Sequence, residues 1–368
     1  MKRLFGKLFG SLSGKLFGKL FGQLLAVAVI TALLAGCAGQ NPSNASPSNT
    51  NPSNTNSSNT NPSNTNSSTT NPSNTSQTPV TVGILQMIEH PSLGEVRVAI
   101  IEELIALGYG HVDVHYMIGQ GDMGSLTTIA QTFVGNAVDI IVPIATPAAQ
   151  ATAGVTTEIP IVFSAVADPI AAGLVATLEH PDTNITGVSN VIEVEPIFAL
   201  ARALAPDATV FGLVYNIGEI NAVAIINDAK EYMRANGFTY LEAPITGTAE
   251  VQQAAQSLVG HVDAFFMPND NTVAAAMPVY AQVAIEAGLP IFTTADSTVR
   301  DGGLATVGIN YTVLGQRTAQ MIVDVLNGTA IADIPVYRQG GMRTVVNADT
   351  AARLGIDFSV LGADVEVY

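Results

Sequence analysis

The chain of 368 residues has one cysteine, no tryptophan and only one lysine, Lys230, beyond residue 19. A lone cysteine excludes a disulfide within the monomer and any site built from several thiolates. His90, His111, His115, His180 and His261 are scattered without the spacing of metal ligands, so no metal is expected. The absence of tryptophan removes the broadest aromatic face on which a sugar ring could stack. There is no phosphate-binding glycine loop, no glycine-rich dinucleotide turn, and no serine or cysteine set in a nucleophile elbow or paired with a base. Neither cofactor nor catalytic machinery is therefore expected, and His90 has no nucleophile to serve as a base. Cations are also scarce, 14 against 30 acids for a net charge of −16, which disfavours nucleic acid as a partner.

The cations that exist are concentrated at the start. Lys2, Arg3, Lys7, Lys15 and Lys19 precede any acid, and the apolar run Leu24 to Leu34 follows, the charged-then-apolar order of a secretion signal. That run is too short to span a bilayer permanently. It ends in Leu34-Ala35-Gly36-Cys37, which resembles the lipobox of bacterial lipoproteins. The resemblance implies that residues 1–36 are a signal peptide and that Cys37 is the lipidated first residue, anchoring the protein to a bacterial membrane on its extracytoplasmic side. Residues 37–78 are dominated by Asn, Pro, Ser and Thr, with the repeat NPSNTNSSNT followed by NPSNTNSSTT. Such a segment has little to bury and reads as a disordered tether. Removing five signal cations leaves nine against 30 acids, a net charge near −21.

Residues 79–368 are more than one core usually covers, so two lobes are expected. Short β-branched runs alternate with helical spacing, the mark of α/β units with parallel sheets. Strands are predicted at Val80–Gln86, Val112–Ile118, Val138–Ile144, Ile159–Val166 and Ile185–Val188, with helices over Leu93–Leu107 and Leu126–Asn136. The pattern restarts with strands at Thr209–Tyr215, Phe238–Ile245, Val262–Met267 and Pro290–Thr294, and helices over Ala222–Asn236, Glu250–Val259 and Val273–Ala287. A helix over Tyr311–Leu326 and short strands at Ile334–Tyr337 and Arg343–Val346 close the chain, and Phe265 and Phe266 read as core. Two doubly wound units in one chain imply a cleft between them, since such sheets bind ligands at the carboxyl ends of their strands.

Polar residues follow several of these strands. Gln86 and Glu89 follow the first, Thr146 the third, and Ser164, Ala165 and Asp168 the fourth; Tyr215, Asn216, Glu219 and Asn221, then Asp270 and Asn271, then Asp296 form the facing rim. Asp168-Pro169 and Asn269-Asp270-Asn271 read equally well as turn and helix-cap chemistry.

The runs Gln86-Met87-Ile88-Glu89-His90-Pro91, Thr146-Pro147-Ala148-Ala149-Gln150, Phe163-Ser164-Ala165-Val166-Ala167-Asp168-Pro169, Asn184-Ile185-Thr186-Gly187-Val188-Ser189, Pro268-Asn269-Asp270-Asn271 and Gly308-Ile309-Asn310-Tyr311 resemble, in order, the ABC transporter substrate-binding proteins that include binders of tryptophan and other aromatic amino acids. The resemblance covers Val80 to Ile356 and implies a type I periplasmic-binding fold with two Rossmann-like lobes, three crossovers and hinge closure. Lobe 1 is then expected over 79–193 with about 297–330, and lobe 2 over 194–296 with about 331–368. The implied ligand is an amino acid, the implied partners are an ABC permease and its ATPase, and the protein is expected to be a monomer.

A zwitterion needs donors for its carboxylate, which Thr146, Ser164 and helix-start N–H groups offer, and an acceptor for its ammonium, for which Asp168, Asp270 and Asp296 are candidates. No arginine falls on the expected rims, which disfavours a doubly anionic ligand. Ala222 and Ala167 stand where the family shows Ser and Thr, which removes two hydroxyls. The competing readings are a sugar or nucleoside receptor, a sensor domain serving a signalling partner, and an enzyme.

Overall fold

The computed structural model describes residues 79–368 apart from Gly341; the signal segment 1–36, Cys37 and the tether to residue 78 lie outside the described residues. The first half runs β1 (Thr81–Gln86), α1 (Pro91–Ala106), β2 (Asp113–Ile118), α2 (Met123–Gly135), β3 (Ile140–Ile144), α3 (Thr146–Ala153), β4 (Ile161–Val166) and β5 (Ile185–Ser189). The second runs α4 (Val194–Leu204), β6 (Val210–Asn216), α5 (Ile220–Ala235), β7 (Thr239–Ile245), α6 (Val251–Leu258), β8 (Ala264–Phe266), α7 (Asn271–Ala275), α8 (Met277–Glu286), β9 (Ile291–Ala295), α9 (Asp296–Arg300) and β10 (Ala305–Ile309). The chain ends with α10 (Tyr311–Leu326), β11 (Tyr337–Arg338), β12 (Arg343–Val346), α11 (Ala348–Leu354) and β13 (Glu366–Val367).

These strands form two sheets, of order β11-β5-β4-β3-β1-β2 and β13-β12-β10-β9-β8-β6-β7. Pairing in the first is parallel throughout, whereas β12 meets β10 antiparallel in the second. Both sheets are covered on two faces, as period-2 alternation requires. On β6, Phe211 and Leu213 join Ile226 and Met233 of α5 in one core cluster, while Val214 points the other way, toward Leu258 of α6 and Tyr280 of α8. Phe265 and Phe266 divide between the same two faces and are fully buried.

The chain crosses between sheets three times, after β5, after β10 and after β11. The expected lobe boundaries are corrected at two places. Ala305–Ile309 belongs to the second sheet, because it pairs with β9 and β12, and only α10 returns to the first lobe. Tyr337–Arg338 belongs to the first sheet through its pairing with β5. The strand expected over Ile334–Tyr337 is thus shorter and shifted, since Ile331–Asp333 is a 3₁₀ turn. The helix expected over Val273–Ala287 is broken in two at Ala276, where Pro278 lacks a donor and fits only a first turn. Helix α4 was not anticipated, although Ile197, Ala201 and Leu204 carry its buried face at helical spacing.

Helices α1 and α10 lie against each other over the first sheet. Their close approach depends on Gly315, where an added Cβ would sit 2.5 Å from the Val96 carbonyl oxygen and 2.6 Å from the Ala99 Cβ. Gly315→Ala gains helix propensity worth less than about 1 kcal/mol, but these contacts leave it no room. We expect a net loss of about 1–3 kcal/mol, read as a lower urea midpoint. An unchanged or higher midpoint would show that the helices can move apart freely.

Candidate functional site

Parallel pairing brings the carboxyl ends of β1, β3, β4 and β5 to one edge of the first sheet and those of β6, β8 and β9 to one edge of the second. The polar residues that follow these strands fall into three groups according to what satisfies them.

The first group is committed within its own lobe. Asp270 caps α7: its Oδ1 accepts from the Val273 N–H at 2.8 Å and its Oδ2 from the Asn216 N–H at 2.6 Å. Glu219 reaches the same helix start. Its Oε1 accepts from the Thr272 N–H and hydroxyl at 2.9 and 2.7 Å, and its Oε2 from the Asn271 N–H and side-chain amide at 3.1 and 2.6 Å. Burial, and then the nearby Glu219 charge, push the Asp270 carboxyl well above the usual carboxylate range. Asn216 donates from Nδ2 to the Thr272 hydroxyl at 2.8 Å and accepts from the Gly218 N–H. Both Asp270 oxygens thus accept a backbone N–H, the helix-cap chemistry that its sequence also allows.

Three other expected rim residues are likewise occupied elsewhere, each for a reason of strand alternation. Ser164 turns under α10 and shares a 2.8 Å hydrogen bond with the Thr318 hydroxyl. Tyr215 turns toward α5, where its hydroxyl donates to Glu242 at 2.7 Å beside Lys230. Burial, with Glu242 adding to it, pushes that phenol up to about 12. Gln86 is fully buried and donates to the Ile88 carbonyl, and the single Tyr116 hydroxyl proton is shared between Gln86 Oε1 at 3.1 Å and the exposed Glu89 at 3.4 Å. Asp168 is exposed and accepts from the Ile170 and Ala171 N–H groups at 3.0 and 2.9 Å, the turn chemistry its Asp-Pro sequence allows. It faces a cleft of about 290 Å³ beside the first crossover, formed by Pro169 and Arg338 of the first lobe, Ile192, and Ile225 and Asp228 of α5.

The second group links the lobes. His90 Nε2 lies 3.3 Å from Asn271 Oδ1, Ser92 is hydrogen-bonded to Ser297, and Glu95 pairs with Arg300 at 2.9 Å while accepting from the Thr312 hydroxyl. His90, which the sequence gives no nucleophile to serve, is buried, and desolvation lowers its pKa to about 4 against the smaller opposing effects of Asn271 and Glu219.

The third group is buried with polar atoms that lack a hydrogen-bond partner among the described residues: Thr146 Oγ1, Asn221 Oδ1, Gln339 Oε1, both side-chain polar atoms of Asn190 beside Tyr311, and Asp296 Oδ1, which has the Arg300 guanidinium 3.9 Å away. Asn190 and Gln339, in the first and third crossovers, had not been singled out, although a polar residue directly after β5 and after β11 could have marked them. Asp296 Oδ2 bonds Arg343, which also holds Glu366, so the expectation of no arginine on the rims is corrected. That correction needed the fold, because β12 brings Arg343 back from late in the chain.

Two alanines at these strand ends adopt left-handed backbone, Ala145 at φ 83° and Ala165 at φ 57°. Such conformations cost energy without glycine and concentrate at functional sites. Ala145 is also the N-cap of α3 and offers it no side-chain cap, which leaves N–H groups beside the unpartnered Thr146 hydroxyl.

Asp270→Ala removes a cap and strands a buried N–H, so it should lower the stability of the ligand-free protein by about 1–3 kcal/mol in denaturant titrations. A variant as stable as the parent would return Asp270 to the list of groups free to meet a ligand.

Comparison with known proteins agrees with this architecture. The family model described as ABC transporter substrate binding protein matches residues 81–361. A tyrosine-binding protein of Clostridioides difficile is 33% identical over 336 residues, covering 90% of each chain. Among solved structures, an ABC domain from Streptococcus pneumonia in complex with L-Trp is 34% identical with a TM-score of 0.76, over 79% of this chain and 100% of the other. A ligand-free, open substrate-binding protein with adhesive properties from Clostridium difficile is 37% identical with a TM-score of 0.61, over 78% and 99%. On the match over residues 81–361 and the 33% identity across nine-tenths of a relative, the chain belongs to the ABC transporter substrate-binding protein family.

Proposed function

We propose that the protein captures an aromatic amino acid between its lobes and presents it to an ABC permease and its ATPase. The observation that carries this reading is the third group of residues, buried acceptors and hydroxyls without a hydrogen-bond partner among the described residues, at the strand ends and crossovers of both lobes. Burying a polar group unpaired costs about 1–3 kcal/mol, so several at one edge favour a ligand that pairs them. Thr146 and the uncapped start of α3 suit a carboxylate, and Asp296 Oδ1 suits an ammonium. The similarity to a tyrosine-binding protein and to an L-Trp complex supports an aromatic side chain.

The lobes are described in a closed arrangement on this reading. The structure resembles the L-Trp complex more than the open protein, although the sequence is slightly nearer the latter. A hinge rotation changes overall superposition without changing sequence, and the cross-lobe contacts of His90, Ser92 and Glu95 fit the closed side of it. Binding without chemistry suffices: contacts from both lobes favour closure, and closure is what the permease recognises. The anchor is the lipid on Cys37, which holds the domain on the extracytoplasmic face.

Calorimetry on the purified protein should show tyrosine, tryptophan or phenylalanine binding at micromolar affinity or better, with a negative heat-capacity change from apolar burial. Thr146→Val and Asp296→Asn keep shape and should each weaken binding at least about tenfold, equivalent to about 1.4 kcal/mol. Binding of a sugar instead, or parental affinity in both variants, would sink the ligand assignment. For the anchor, intact-mass spectrometry of membrane fractions should find acyl chains on the parent and none on Cys37→Ala; lipid retained by that variant would refute it.

A further inference from the structure

We infer that His90 is a proton-sensitive latch of closure, donating from Nε2 to Asn271 across the cleft and opposing closure once its other ring nitrogen gains a proton. The inference rests on the two-lobe closure described above and adds a regulation to it.

The tautomer follows from Asn271. Its side-chain nitrogen donates to the Glu219 carboxylate at 2.6 Å, and a carboxylate only accepts, so Asn271 Oδ1 must be the atom that faces His90. His90 Nε2 is then the donor. Nδ1 is left with a lone pair, buried and without a partner. A proton there would create a buried cation with an N–H that nothing accepts, and the ring is only 7% exposed. His90 belongs to the loop between β1 and α1, and Asn271 opens α7, so the bond exists only while the lobes are together. Opening returns the ring to water, where histidine takes a proton readily near pH 6.5.

The charges around the ring come from both lobes. Glu219 acts on it from the loop before α5, and Asp270 stands beside Asn271 at the start of α7. Glu89 precedes it, Glu95 lies further along α1 paired with Arg300, and Asp296 opens α9. The Glu219 charge favours the imidazolium, yet desolvation outweighs it and holds the ring neutral until about pH 4. The direction is therefore set. Between about pH 6.5 and 4 the open form binds more protons than the closed one, so closure is fully favoured above that window and weakens as pH falls through it. Asp270 and Asp296, both raised by burial, would push the other way on acidification. A variant lacking only the histidine separates these effects.

The test uses the full chain with spin labels at two exposed positions, Ile105→Cys on the first lobe and Val259→Cys on the second, in the parent and in His90→Gln. Glutamine keeps an N–H for Asn271 and has nothing to titrate. From pH 7.5 to 5.0 the parent's inter-lobe distances should lengthen, and its affinity for L-tyrosine or L-tryptophan should fall about tenfold or more. The His90→Gln protein should keep its distances and stay within about twofold in affinity. Asn271→Ala, which removes the bond itself, should give the longer distances at both pH values. Parent distances that do not move, or a His90→Gln protein that moves as far as the parent, would overturn the latch. If neither amino acid binds at pH 7.5, the ligand assignment fails while the distances still decide the latch.

Discussion

Parallel strand pairing is the constraint from which the rest of this structure follows. It collects the carboxyl ends of strands at one edge of each sheet, and every helix that starts there exposes N–H groups that need partners. A polar group buried there must be met from its own lobe, from the facing lobe or by a ligand or water. The residues after these strands divide along those lines. Asp270 and Glu219 are satisfied by the start of α7, His90 Nε2 and Ser92 by the second lobe, and Thr146, Asn221 and Asp296 keep an atom without a hydrogen-bond partner among the described residues.

Charge is distributed with the same economy. Only nine cations follow residue 36, and two of them, Arg300 and Arg343, hold carboxylates at the cleft: Arg300 meets Glu95 and Arg343 meets Asp296. Arg97 and Arg317 lie over the rings of Tyr116 and Tyr337 instead, which conceals long side chains without a carboxylate partner. At α7 no cation is present in the hydrogen-bond set, and two buried carboxyl groups share one helix start. The response is the upward shift of Asp270, since burial and a neighbouring negative charge both disfavour its ionised form.

Local strain points to the same edge. Ala145 and Ala165 hold left-handed conformations at the ends of adjacent strands, and the Ala145 N–H donates to the Ser164 carbonyl at 3.0 Å, fixing one turn against the other. Alanine at these positions keeps a cost that glycine would relieve. That cost is maintained where α3 begins without a side-chain cap, and rigid positioning of its first N–H groups is a physical reason for tolerating it.

The sequence by itself determined the α/β class, the two-lobe organisation and the position of most strands to within a residue or two, because period-2 and helical spacing are local consequences of burial. It also placed polar residues after the strands, where parallel pairing gathers them at one edge of each sheet, and the ordered motifs from Gln86 to Tyr311 pointed to the family. Tertiary structure alone decided which polar side chains are free. Ser164 and Tyr215 sit at strand ends in sequence, yet alternation turns them beneath α10 and toward α5, onto partners 154 and 27 residues away. The cap at Asp270 is legible beside Val273, but the Asn216 N–H that meets its other oxygen comes from 54 residues earlier in the chain. His90 and Asn271 are 181 residues apart, and Asp296 and Arg343 are 47. No local pattern encodes such pairings; they exist because three crossovers fold distant strand ends onto one another, and the partner found there fixes whether a side chain supports the fold, joins the lobes or is left to bind.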